Sequence, residues 1–210
     1  MKFIVIEGNI GSGKTTLAQM LAKDFNAKLI LEEFDDNPFL PKFYQDNDRY
    51  SFPLEISLLI DRYEQIKKEI VNNAVNSPFV IADYYFSKTA IFAKKNLKKE
   101  EYRLFLKIFD IISGSLPRPD LYIYLQANTD KLLGNIKKRG RDYEKAITLE
   151  YLEKISNGYA DFTGQINSFP ILTIDINSID FVINPAHYDI LKSTLLKSDY
   201  KLGQNRIILP

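Results

Sequence analysis

Apolar residues along the chain recur in two patterns. Nearly continuous apolar runs at Lys2 to Ile6, Lys28 to Leu31, Phe79 to Ala82, Leu121 to Leu125 and Ile171 to Ile174 have the character of strands buried on both faces of a parallel sheet. Between them, apolar residues repeat at helical spacing. This predicts helices over Thr15 to Phe25, Pro38 to Asp46, Phe52 to Asn73, Ser87 to Lys95, Lys99 to Ser113, Thr129 to Lys138, Thr148 to Ile166 and Pro185 to Leu196. In the long Phe52 to Asn73 segment the apolar positions are 54, 58, 59, 63, 66 and 70. Strands alternating with helices predict an α/β fold, a five-stranded parallel sheet flanked by helices. No repeat or low-complexity linker divides the chain, so residues 1–210 are expected to form one domain.

Composition narrows the partners. A formal charge of +1 over 210 residues gives no field that would draw long nucleic acid or an acidic membrane. The absence of cysteine excludes disulfides and thiolate chemistry and fits a reducing cytosol. The longest apolar runs are strand-sized, and the first strand begins beside the N-terminus, so a cytoplasmic protein without targeting segment or membrane span is expected.

The chemistry starts where the first strand gives way to the first helix. Gly8, Asn9, Ile10, Gly11, Ser12, Gly13, Lys14 and Thr15 read G-x-x-x-x-G-K-T, followed by Thr16 and an amphipathic stretch. Glycines let such a loop curl with its N–H groups inward, and the helix adds its positive dipole end to the same hollow. Lys14 would reach the β- and γ-phosphates of a triphosphate, and Thr15 would sit on Mg²⁺. A glycine-rich turn that matches by chance is the competing reading.

Ligands of parallel sheets gather at the carboxyl ends of strands. Glu32 and Glu33 follow the second run, and Asp83 follows the third. Asp83 suits Mg²⁺ coordination opposite Thr15, against the alternative that it caps the next helix. Only one of two adjacent glutamates can face the cleft from a strand end, and a carboxylate there could take the proton of an attacking hydroxyl. Asn37 and Pro38 are expected as N-cap and first residue of the short helix. The cation-dense stretch 137–146, KKRGRDYEKA, contains Gly140 and is expected to be a mobile lid. Its Arg139 and Arg141 would neutralise a transferring phosphoryl group and exclude water, whereas Lys137 and Lys138 suit a solvated helix end. His187, the single histidine, lies far along the chain from these residues and is read as structural.

Taken in order, IEGNIGSGKTT, LEEFDDNPFLPKFY, SFPLEISLLIDRYEQ, VIADYYFSKTAIFA, LPRPDLYIYL and KRGRDYEKAITLEYLE resemble the deoxyribonucleoside kinases, particularly the bacterial deoxyguanosine and deoxyadenosine kinases. The resemblance implies a P-loop kinase fold with an arginine lid, usually homodimeric. It further implies Mg²⁺-dependent transfer of the ATP γ-phosphoryl group to the 5′-hydroxyl of a deoxynucleoside. By position, Glu32 resembles the carboxylate that activates that hydroxyl, and Tyr44 with Glu144 the pair that holds the sugar 3′-hydroxyl. Glu55 stands where many relatives carry a base-reading Gln, with Arg62 in support. A carboxylate accepts but cannot donate, which leans toward purines. Phe52, Phe86 and Phe109 are candidates to sandwich the base, against a role as ordinary core. The segment DINSIDFVINP is expected, by the same resemblance, near the donor adenine.

The chain departs from that family pattern in two places. Where many relatives have Glu-Arg-Ser, this sequence has Asp83, Tyr84 and Tyr85, so Tyr84 takes the position of a substrate-side arginine and Lys88 is the nearest replacement cation. Pro53 lies just before Glu55, which predicts a helix N-capped by Ser51 with Pro53 in its first turn. Glu55 would then sit near a helix N-terminus that favours its ionised form. The tail from Lys197 onward is expected to be frayed or docked on a neighbour. Two rivals remain at this stage, a thymidylate-type nucleotide kinase and a non-catalytic P-loop nucleotide-binding regulator.

Overall fold

Strands β1 (Lys2–Gly8), β2 (Lys28–Ile30), β3 (Phe79–Ala82), β4 (Leu121–Gln126), β5 (Pro170–Asp175) and β6 (Gly203–Ile207) form one sheet in the computed structural model, which describes residues 2–34, 36–72, 78–195 and 200–207. Their order is β2-β3-β1-β4-β5-β6, and every neighbouring pair runs parallel. The sheet therefore has six strands where the apolar pattern predicts five. The sixth reads GQNRI, without an apolar run. It joins through backbone pairing to β5, with Ile171 opposite Gln204 and Ile174 opposite Ile207. This part of the tail pairs within its own chain rather than fraying or docking on a neighbour. Residues 196–199 and 208–210, with the expected helix ends at Asn73 and Leu196, lie outside the described residues.

The pleat sorts the core into two faces. Phe3 and Val5 of β1 point with Tyr122 and Tyr124 of β4 into one apolar layer, completed by residues such as Ile91 of α4 (Ser87–Asn96) and Tyr159 of α7 (Leu149–Gln165). Ile4 and Ile6 join Ile123 and Leu125 on the opposite face, against α1 (Lys14–Asp24) and α8 (Pro185–Leu195). Glu7, next in the alternation after Phe3 and Val5, belongs by register to the aromatic face and is completely buried there.

The remaining helices are α2 (Leu40–Gln45), α3 (Asn47–Ile66), α5 (Lys99–Ser113) and α6 (Thr129–Arg139). The short helix starts two residues later than Asn37-Pro38 predicts. Asn37 instead makes the turn before it, its Oδ1 accepting from Phe39 N at 3.0 Å. Helix α3 starts well before Ser51. Asp46 is its N-cap and accepts from Arg49 N, while the Ser51 hydroxyl donates to the Asn47 carbonyl at 2.6 Å. Pro53 lies inside the helix and leaves the Arg49 carbonyl without its usual i+4 donor. Burial of Leu54, Leu58, Leu59 and Ile66 outweighs that local cost, a tertiary override of propensity. Glu55 is consequently in the third turn, away from the helix N-terminus. A π-helical segment, Lys67–Asn72, continues α3. Among the described residues, no helix is long and apolar enough to cross a membrane.

Candidate active site

The loop after β1 takes its shape from backbone conformations that side chains resist. Gly11 and Gly13 have φ of 82° and 84°, in the left-handed region that favours glycine. A Cβ on Gly11 would lie 2.5 Å from the Leu132 carbonyl oxygen, so α6 packs directly on this turn. Asn135 of α6 donates to the Gly11 carbonyl at 2.8 Å. The Asn9 amide turns away from the hollow and donates to Leu152 O at 2.7 Å and Ser156 Oγ at 2.8 Å, tying the loop to α7. The Ser12 hydroxyl is buried with no hydrogen-bond partner among the described residues, which suits a cradle for an anion's oxygens.

Glu32 leaves β2 and enters a cage of cations. Arg62 of α3 donates through Nε to its Oε1 at 2.8 Å and approaches through Nη2 at 2.6 Å, and Lys88 of α4 donates to Oε2. Burial by itself would raise the carboxyl's pKa, but Lys88, Arg62 and Lys14 together hold it at about 2. Glu33, as the alternation requires, does not line this cavity. Asp83 holds the neighbouring corner. Its Oδ1 accepts from Glu32 N at 2.7 Å and its Oδ2 from the Thr15 hydroxyl at 2.5 Å. That hydroxyl and carboxylate side by side fit Mg²⁺, which needs only one or two protein ligands when phosphates supply the rest. No cluster of three or more acidic or histidine side chains suited to a metal occurs among the described residues.

Lys14 is half-buried beside these groups. Burial and the nearby Lys88 lower its pKa to about 8, against the pull of Glu32, Glu7 and Asp83. Its neighbour Glu7 accepts from Tyr85 N at 2.9 Å and from the Tyr159 hydroxyl at 2.9 Å. Burial raises its pKa, with Lys88 and Lys14 opposing. The apolar pattern predicts a first strand that ends at Ile6 and so passes over Glu7, although a lone acid continuing an apolar run is visible in the sequence.

Two cavities open on this centre. One is lined by Glu32, Tyr44, Leu54, Glu55, Arg62, Lys88, Phe92, Asn96, Tyr143, Glu144 and Tyr151, among others. The other is lined by Gly11 to Thr16, Lys131, Arg141 and the segment Ile176 to Ile183. Lys14 and Arg139 line both. The stretch expected as a loop is partly helical. Arg139 ends α6, and Asp142–Ala146 form a 3₁₀ turn. Arg139 Nε donates to Glu144 Oε2 at 3.0 Å, and the Arg141 guanidinium lies 5.3 Å from the centre of the Phe34 ring. His187 accepts from Asp180 N at 2.9 Å in the loop before α8, a structural contact.

Several expected substrate contacts are elsewhere. Tyr84 is wholly buried outside the first cavity, its hydroxyl donating to Gln65 Oε1 at 2.6 Å. Phe86 stacks on Phe109 with ring centres 4.9 Å apart within the core, because α4 turns that face toward α5. Phe52 does not line the cavity either. The aromatic groups that do include Phe92, Tyr143 and Tyr151, which the sequence reading missed. Lys88, Phe92 and Asn96 follow at i, i+4 and i+8, so one face of α4 carries all three, and that spacing was the available signal. Glu55 lines the cavity with Asn96 Nδ2 donating to its Oε1 at 2.8 Å. It is not favoured as an ion, since burial raises its pKa to about 7 despite Asn96, Arg62 and Lys88.

Known proteins resemble this chain in sequence and fold. A family model described as "Deoxynucleoside kinase" matches residues 4–197. A deoxyguanosine kinase of Bacillus subtilis (strain 168) is 39% identical over 191 residues, covering 89% of this chain and 92% of that protein. A deoxyadenosine kinase of Dictyostelium discoideum is 38% identical over 184 residues, covering 85% and 73%. The structure of a deoxyadenosine kinase from M. mycoides with bound dATP superposes with a TM-score of 0.80 at 26% identity, covering 93% of this chain and 100% of that one. With a matched family model over nearly its whole length and a parallel sheet bearing the phosphate loop, the chain belongs to the deoxynucleoside kinase family and is an enzyme of that kind.

Proposed function

We propose that this kinase transfers the γ-phosphoryl group of ATP to the 5′-hydroxyl of a purine 2′-deoxynucleoside, yielding the monophosphate for nucleotide salvage. The observation that carries the reading is that two cavities, one beside the phosphate loop and one walled by Glu32, Glu55 and Tyr44, share Lys14 and Arg139 at their junction. The donor triphosphate would occupy the loop side, with Ile176 to Ile183 near its base, and the acceptor would occupy the other. In the acceptor cavity Tyr44 and Glu144 hold the sugar and Glu55 faces the base. The names of the two relatives, a deoxyguanosine and a deoxyadenosine kinase, support a purine.

In the transfer, the bond from the 5′-oxygen to phosphorus forms as the bond to the departing ADP breaks, and the hydroxyl proton passes to Glu32. A carboxylate held at about 2 is a weak base toward a free alcohol, so Glu32 chiefly orients the hydroxyl and takes the proton late, when attack has made it acidic. Lys14, Arg139 and Arg141 neutralise the moving charge. Thr15 and Asp83 would hold Mg²⁺, which supplies charge neutralisation on the donor phosphates.

We further place the enzyme in the cytoplasm, as a homodimer. The dimer reading is supported by Ile60 on α3 and by Leu104 and Ile111 on α5, which are 48%, 51% and 80% exposed, and light scattering after gel filtration tests it. The activity is tested by acceptor profiling with MgATP. Deoxyadenosine or deoxyguanosine should be used far faster than thymidine or any monophosphate, and faster use of a monophosphate would overturn the assignment. Glu32→Gln should lower kcat by a factor of about 10²–10⁴ with nucleoside KM nearly kept, and unchanged turnover would remove Glu32 from its role.

A further inference from the structure

Glu55, on the wall of the acceptor cavity, has one satisfied and one unsatisfied oxygen. Oε1 accepts from Asn96 Nδ2 at 2.8 Å, while Oε2 is buried with no hydrogen-bond partner among the described residues. The residue is 1% exposed, so water cannot easily complete that oxygen's needs. The cations within reach are committed elsewhere. Arg62, two turns along α3, and Lys88 on α4 both pair with Glu32. From α7, the Tyr151 hydroxyl lies 3.4 Å from Asn96 Nδ2, and its pKa is itself raised by burial and by Glu55. Across the cavity stand Tyr44 and Glu144. No cation is therefore assigned to Glu55, and a neutral carboxylic acid is as compatible with its surroundings as a carboxylate.

The two forms are complementary to different bases. A carboxylate offers two acceptors side by side, which match the adjacent N1–H and N2–H₂ donors of guanine. A neutral acid offers one acceptor beside one donor. That pair matches an amino group next to a ring nitrogen with a lone pair, the edge shown by adenine and also by cytosine. Against those two bases a carboxylate would set an anionic oxygen opposite a lone pair.

We propose that Glu55 selects the acceptor base by its own protonation state, taking guanine as a carboxylate and adenine or cytosine as a neutral acid. The proposal rests on the reading above that Glu55 faces the base. The carboxyl titrates at about 7, so both forms are populated at neutral pH and one site serves two classes of nucleoside.

The test is the ratio of kcat/KM for deoxyguanosine to that for deoxyadenosine between about pH 6 and pH 8. Taking a ratio cancels titrations common to both reactions, such as that of Lys14. The ratio should rise with pH, by up to about tenfold per unit when recognition is exclusive, and deoxycytidine should follow deoxyadenosine. Glu55→Gln fixes one donor beside one acceptor, so it should use deoxyadenosine at every pH, lose deoxyguanosine by at least about tenfold, and show a flat ratio. A wild-type ratio independent of pH, with the variant's base profile changed, overturns the protonation inference and leaves the base reading standing. An unchanged base profile in the variant overturns the base reading itself. Calorimetry on the wild-type protein near pH 7, in buffers of different ionisation enthalpy, needs no variant. Deoxyadenosine binding should take up protons and deoxyguanosine binding should release them; the same sign for both nucleosides overturns the inference.

Discussion

Replacing Glu55 by Gln should stabilise the ligand-free protein, and by an amount that grows with pH. The Glu55 carboxyl titrates near 4.5 in an unconstrained chain and at about 7 in the folded cavity. At 1.36 kcal/mol per pH unit, that interval corresponds to about 3 kcal/mol. A folded-state pKa above the unfolded one means that the native protein holds the proton more tightly. Its stabilisation is fully present below about pH 4.5 and is lost as the pH rises through about 7. Gln has nearly the same shape, keeps an acceptor for Asn96 and does not titrate. The stability gap, variant minus wild type, should therefore widen by about 2–3 kcal/mol between pH 5 and pH 8, part of the change falling below pH 5. For a chain of this size that corresponds to roughly 4–12 °C in Tm. Urea unfolding at pH 5, 6, 7 and 8 without nucleotide measures it directly. Glu7 and Lys14 titrate in both proteins, so their contributions leave the gap unchanged. A gap that stays constant within about 0.5 kcal/mol, or narrows as the pH rises, would refute the argument that burial without a committed cation lifts this carboxyl.

Two further substitutions probe the frame beneath the site. Gly11→Ala combines a φ of 82° with a Cβ 2.5 Å from the Leu132 carbonyl oxygen, so it should cost about 2 kcal/mol or more and weaken triphosphate binding. Gly114→Ala, with nothing within 4 Å of its Cβ and φ of −63°, is the neutral control, and equal melting temperatures for the two variants would count against the close loop–α6 packing. Tyr159→Phe removes the hydroxyl that donates to Glu7 at 2.9 Å and should cost about 1–3 kcal/mol. Because that hydrogen bond favours the carboxylate, the loss should be greater at pH 8 than at pH 5, and a pH-independent loss would indicate that Glu7 does not change its protonation between them.

The phosphate loop, the strand-end acids and the strand–helix alternation were legible because each is written in consecutive residues. Lys14, Glu32, Tyr44, Glu55, Arg62, Lys88, Arg139 and Glu144 do line one cavity. What sequence reasoning lost depended on how elements meet. Tyr84 and Phe86 follow the same strand as Lys88, yet the turn into α4 sends them into the core, and only the rotation of that helix decides which face sees the cavity. The start of α3 was misplaced because Pro53 is a local stop signal that tertiary burial overrides. Glu55 then lost the expected help from a helix terminus, and its ionisation preference reversed. Strand β6 was illegible for a different reason, since an edge strand held by backbone pairing has no need of an apolar run.

That edge strand also governs how the chain tolerates being shortened. β5 carries Ile171, Leu172 and Ile174, all with no solvent exposure, and β6 occupies its outer row of backbone donors and acceptors. The new edge is blunted by Gln204, Asn205 and Arg206, with the Asn205 amide donating back to Lys201 O at 2.7 Å. A truncation before Gly203 would leave every catalytic candidate in place yet expose an apolar strand ready to pair with another molecule. Solubility during expression, rather than turnover, would be the first property to fail.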